Sequence, residues 1–117
     1  MRMSDEEYFR SCIAKERHLA QLLGHHVEEF YESAGTLWSN AVALPQWTRD
    51  WNACAALMVE HDLSLVYLKE PGHAHSSSVI IGPVEVMFAD HPDKEQAVRY
   101  AVVKAVACKL EHKHQQH

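Results

Sequence analysis

The stretch from residue 92 to residue 111, PDKEQAVRYAVVKAVACKLE, constrains the fold more than any other part of the chain. Val98, Ala101, Val102, Ala105 and Cys108 recur at helical spacing, while Arg99, Lys104 and Lys109 fall off that stripe. Ala97, Ala101, Ala105 and Ala107 are small enough to let such a helix lie close against a sheet. Pro92 fits the first helical position, where a missing amide hydrogen costs nothing, and Asp90 or His91 reads as the cap before it. A helix of this kind needs an apolar surface to lie on.

The surface is predicted just upstream. LSLVYL (63–68), SVII (78–81) and VEVMFA (84–89) are rich in β-formers, and EPGHAHSS (70–77) reads as a loop. Gly82-Pro83 marks either a tight hairpin turn or a bulge in one bent strand, and both readings stand at this point. Leu65 and Tyr67 alternate with Val66 and Leu68, so both faces are apolar. The sheet is therefore expected to be covered on both sides, at least in part.

Two helices precede it. Ser4-Asp5-Glu6-Glu7 forms a capping box that opens a helix over about 4–23, with Phe9, Cys12, Ile13, Leu19, Ala20 and Leu23 inward and Gly24 as its stop. In PQWTRDWNA (45–53), Thr48 suits an N-cap and Asp50 the first turn of a second helix ending near His61. Trp51, Cys54, Ala55 and Met58 mark its buried stripe, and Trp47 lies just before the cap, where an apolar residue folds back on the first turns. The two tryptophans also suggest a stacking platform, but that needs exposed rings beside positive charge, and Arg49 alone supplies it. Core packing is the better reading. Between the helices, residues 25–44 read as an irregular connection. Val27, Phe30 and Tyr31 fit one more helical turn, and Trp38, Val42 and Leu44 pin the segment to the core.

The expectation is thus an α+β fold, a small antiparallel sheet of about three strands packed between helices, in helix–helix–strands–helix order. The 117 residues form one domain, with a core over about 45–111 and a polar tail, 112–117, that frays.

Charge and composition exclude more than they assign. Eleven basic and sixteen acidic side chains give a net charge of −5, which repels phosphates. Nucleic acid is disfavoured as a partner, with the last helix the least unfavourable place for it. No apolar run approaches the ~18 residues of a membrane span, and the acidic N-terminus does not resemble a signal peptide. Three cysteines at wide spacing, Cys12, Cys54 and Cys108, read as buried free thiols and point to the cytoplasm.

Few residues offer chemistry. His73 and His75, in PGHAH, are weak metal candidates that lack a third ligand nearby. His61-Asp62 and Asp90-His91 each set an imidazole beside a carboxylate, but chain neighbours point apart. There is no nucleophile elbow, phosphate loop or dinucleotide fingerprint, so no catalytic residue and no cofactor is expected.

Pro45, Trp47, Thr48, Asp50 and Ala53, followed by the strands VYLK and VEVMFA and by the closing helix after Pro92, resemble the small phage-encoded α-β-α sandwich proteins of unknown function. LAQLLG (19–24) resembles that family's leading helix. His25 stands where an aromatic is usual, and His91 where a threonine is. The resemblance covers roughly residues 19–111 and implies a helix–sheet–helix domain of phage or prophage origin, acting in the bacterial cytoplasm. It implies no catalytic residue. The leading expectation is a non-enzymatic accessory protein that binds another protein or itself. One alternative is a metal- or His-dependent enzyme using the His73/His75 loop; another is weak nucleic-acid binding through the last helix.

Overall fold

The computed structural model describes residues 4–30 and 34–114. Helix α1 (Asp5–Leu22) opens as the capping box predicts: the Ser4 hydroxyl accepts the Glu7 amide at 3.2 Å. It closes at Gly24, whose φ of +94° suits glycine, with the His25 amide reaching back to the Ala20 carbonyl at 3.0 Å. Its inner face is Tyr8, Cys12, Glu16, Leu19 and Ala20. Phe9 and Leu23, expected on that face, are exposed. Glu16, by contrast, is among the most buried side chains of the protein.

The connection after α1 is not irregular. It forms a small antiparallel sheet of β1 (Glu28–Glu29), β2 (Leu37–Ser39) and β3 (Val42–Ala43), with β2 in the middle. The predicted extra helical turn is therefore absent at Val27 and Phe30; Tyr31 lies outside the described residues. β2 and β3 are joined by Asn40 (φ +51°) and Ala41 (φ +65°), two consecutive left-handed residues as a type I′ hairpin requires. Leu37 and Leu44 are buried, but Val42, expected to anchor the segment, is exposed. Trp38 is half-buried and faces Phe30, with ring centroids 6.1 Å apart.

Helix α2 (Trp51–Glu60) is capped by Asp50, not Thr48: the Asp50 carboxylate accepts the Asn52 amide at 3.0 Å. Its inner face is narrow, Cys54 and Leu57 flanked by Ala53 and Met58, and Ala55, Val59 and Trp51 are exposed. A second antiparallel sheet follows, β4 (Val66–Leu68), β5 (Ser78–Ile81) and β6 (Val84–Met87), in that spatial order. Gly82 (φ +57°) and Pro83 join the paired residues Ile81 and Val84, so 78–87 is a two-stranded hairpin with glycine first in the turn. A 3-10 turn (Phe88–Asp90) leads to α3 (Lys94–His114). Asp93 begins that helix, its carboxylate accepting the Gln96 amide at 2.8 Å. Pro92 accordingly stands before the cap, and neither Asp90 nor His91 caps. Helix continues into the segment predicted to fray, as far as His114.

α3 packs against α1, α2, β5 and β6, so it is buried on most of its circumference and not along one stripe. Val102, Val103, Val106 and Ala101 all have no exposed surface. Its alternation of alanine and valine is what a helix surrounded by other elements needs. The architecture is the α+β arrangement expected, with three α-helices and antiparallel three-stranded sheets among the described residues, in the order helix, strands, helix, strands, helix.

Register places Tyr67, Val79 and Val86 in one row and therefore on one face of the second sheet, and Val79 and Val86 are buried in the core. Val66, Leu68, Ser78, Ile80, Glu85 and Met87 lie on the other face. Of these, Val66, Leu68 and Met87 are 54%, 39% and 40% exposed. Apolar character on both faces thus does not bring full cover over both: the second face is open at Val66, Leu68 and Met87, whereas Ser78 on it is buried.

Candidate functional site

The structure gathers PQWTRDWNA, α1 and the start of α3 into one network. Thr48 is buried, and its amide and hydroxyl donate to Glu16 Oε2 at 3.2 and 2.5 Å. Arg49 grips the same carboxylate, Nε to Oε2 at 3.1 Å and Nη2 to Oε1 at 2.6 Å, and Nη2 also donates to the Gly35 carbonyl at 2.6 Å. Arg99 of α3 donates from Nε to the Thr48 carbonyl at 3.0 Å, and its guanidinium lies 5.0 Å from the Trp51 ring centroid. Trp47 is buried in the core as expected, whereas Trp51 is a surface ring covered by the protein's own arginine. Pro45 is exposed.

A cleft of about 470 Å³ opens above this network, lined by Asp5, Tyr8, Phe9, Cys12, Arg49 and Arg99. Burial holds the Cys12 thiol above its ordinary pKa and does the same to the Tyr8 phenol. Burial also lowers His91, which sits 2.5 Å from the Tyr8 hydroxyl through Nδ1. At neutral pH the thiol and phenol are therefore protonated and the imidazole is uncharged, with a hydrogen bond between the Tyr8 hydroxyl and His91 Nδ1. Tyr100 completes an aromatic cluster, its centroid 4.9 Å from that of His91. This arrangement braces the start of α1 against the start of α3.

The histidine loop is placed differently. His73 and His75 are exposed, and His73 Nε2 lies 3.7 Å from an exposed Glu70 carboxylate. Among the described residues, no group of three or more His, Cys, Asp or Glu side chains is arranged to hold a metal ion. Three basic side chains of α3 contact the protein itself: Lys94 lies 4.9 Å from the Tyr67 centroid, Arg99 covers Trp51, and Lys109 donates to the His61 carbonyl at 3.1 Å. Among the described residues, no helix is long and apolar enough to cross a membrane.

Glu16 is the organising residue that sequence reasoning passes over. Its signal was its place four residues after Cys12 and three before Leu19, a carboxylate inside the apolar stripe, which demands a buried partner. The pairing of Tyr8 with His91 spans 83 residues and has no local signal.

Comparison with protein-family models, curated proteins and solved structures finds no match to this chain. Its function is therefore argued from geometry.

Proposed function

We propose that this chain is a non-catalytic binding module that associates with a second copy of itself through the β4 edge and the outer face of the β4–β5–β6 sheet. The observation that carries this reading is the exposure of Val66, Leu68 and Met87 together on one face, beside an edge strand whose outer side pairs with no other strand among the described residues. Edge strands are commonly protected by charge or proline within the strand; Val66-Tyr67-Leu68 has neither, and Lys69 and Pro71 come only after it. A two-fold axis beside β4 would join two such edges and merge the two apolar faces, the self-complementary arrangement of an isologous dimer. The one carboxylate on that face, Glu85, accepts from Ser78 Oγ at 2.9 Å.

The resemblance to phage-encoded sandwich proteins supports placing such a module in a bacterial cytoplasm as a phage or prophage accessory protein. Light scattering across a wide concentration range tests the association. A mass rising toward that of two chains supports it, and the mass of one chain at every concentration removes it.

A further inference from the structure

The cleft of about 470 Å³ beside the Glu16–Arg49 pair is lined by Asp5 and Phe9 of α1 and by Pro92, Gln96 and Arg99 at the start of α3. Its size falls within the roughly 300–1,000 Å³ of small-molecule sites. Its charged groups are not all neutralised from within the protein. Arg49, which also lines it, is ion-paired with Glu16, but among the described residues Asp5 and Arg99 are in no ion pair. Arg99 is half-buried and fixed in place: Nε donates to the Thr48 carbonyl at 3.0 Å and the guanidinium lies over Trp51. The four N–H groups on its two Nη atoms make no hydrogen bond among the described residues. Tyr8 and Cys12 also line the cleft, and burial keeps both uncharged at neutral pH. Phe9 presents an aromatic ring that is 42% exposed.

We infer that this cleft binds an apolar α-amino acid as its zwitterion, with the carboxylate on the Arg99 fork, the ammonium at Asp5 and the side chain against Phe9 and Pro92. A guanidinium held by Nε and free at both Nη atoms matches a carboxylate in shape as well as charge. Asp5 opposes a ligand that carries only negative charge, and so does the net charge of −5. The two arginines oppose one that carries only positive charge. A ligand with both charges and a carbon body answers every unneutralised group that lines the cleft. Gln96, one helical turn before Arg99, adds a side-chain carbonyl that can accept from the same ammonium. None of these residues belongs to the β4–β5–β6 sheet, so the site stands or falls independently of self-association.

Chemical-shift titration of the isotope-labelled full chain tests this, with the backbone amides of Phe9, Cys12 and Gln96 as reporters. The probes are L-phenylalanine, its amide, which lacks the carboxylate, and its N-acetyl derivative, which lacks the ammonium. L-Phenylalanine should shift these amides saturably, the amide should bind about tenfold more weakly, and the N-acetyl derivative about threefold more weakly, because Asp5 is the more solvated partner. Arg99→Met should abolish the preference for L-phenylalanine over its amide. Asp5→Asn, a change at an exposed position, should abolish the preference over the N-acetyl derivative and keeps the test open if the arginine variant does not fold. Equal binding of L-phenylalanine and its amide overturns the assignment, as does no saturable shift by about 10 mM. N-Acetyl-phenylalanine binding as tightly as the zwitterion also overturns it, since the cleft would then take a simple anion. A preference over that derivative that survives Asp5→Asn overturns the role of Asp5.

Discussion

Glu16 and Arg49, 33 positions apart, are locked together by two hydrogen bonds of 3.1 and 2.6 Å, with the carboxylate 1% exposed and the guanidinium 23%. This pair ties α1 to the segment that leads into α2, and through Gly35 it ties in the small first sheet as well. Removing one member leaves the other charge buried without its partner, which costs about 3–5 kcal/mol. Arg49→Met should lie near the lower end, because Thr48 still donates twice to Glu16. Denaturant unfolding measures the loss. The double variant Glu16→Met with Arg49→Met should recover part of it, since no buried charge then remains.

Gly35 has φ +90°, and a β-carbon there would come within 2.8 Å of Phe9 Cζ. Gly35→Ala should therefore destabilise by about 1–3 kcal/mol, from backbone strain and the clash together. Adding Phe9→Ala should return only the clash part. A fully restored midpoint would show that the backbone strain is negligible.

Ala41 holds φ +65° in the β2–β3 turn without being glycine. A left-handed L-residue costs about 1–2 kcal/mol, and Ala41→Gly removes that while adding about 0.4–1 kcal/mol of unfolded-state entropy. The net should be a gain of about 0.5 kcal/mol, read as a higher denaturant midpoint at unchanged slope. A lower midpoint would contradict the turn assignment.

Burial lowers the His91 pKa, against a smaller opposing effect of Asp90, so the folded protein favours the neutral ring. Its contribution to stability is fully present above the unfolded value near 6.5 and is lost as pH falls below it, by at most about 1.4 kcal/mol per pH unit. Tyr8 works in the opposite range: its raised pKa keeps the phenol protonated, and that stability is lost as pH rises above about 10. His91→Gln should flatten the acid limb relative to the parent chain. An unchanged limb would mean that the other histidines govern it.

How much of this was legible follows from how local each cause is. The α1 cap and the Gly24 stop are written in adjacent residues, and the structure has them, whereas Gly82-Pro83 reads equally as hairpin or bulge and only the Ile81–Val84 pairing decides for the hairpin. Thr48 and Asp50 are equally good caps by type, and the choice between them fell to a carboxylate 32 positions away that claimed Thr48. The first sheet escaped notice because its strands are two or three residues long and its turn reads Asn-Ala, not Asn-Gly. The all-round burial of α3 depends on three neighbours that no periodicity in α3 encodes. Exposure of the sheet's second face was hidden for the same reason, since apolar residues do not announce whether anything covers them.

That face carries the central claim. Val66 and Leu68 are exposed, so replacing both with lysine removes apolar surface and adds like charge across a two-fold axis without disturbing the core. Sedimentation equilibrium of the parent chain and of Val66→Lys with Leu68→Lys, matched in circular dichroism, is the direct comparison. Self-association by the parent and a single-chain mass for the variant is the predicted result. Two identical masses, whether of one chain or of two, would contradict it.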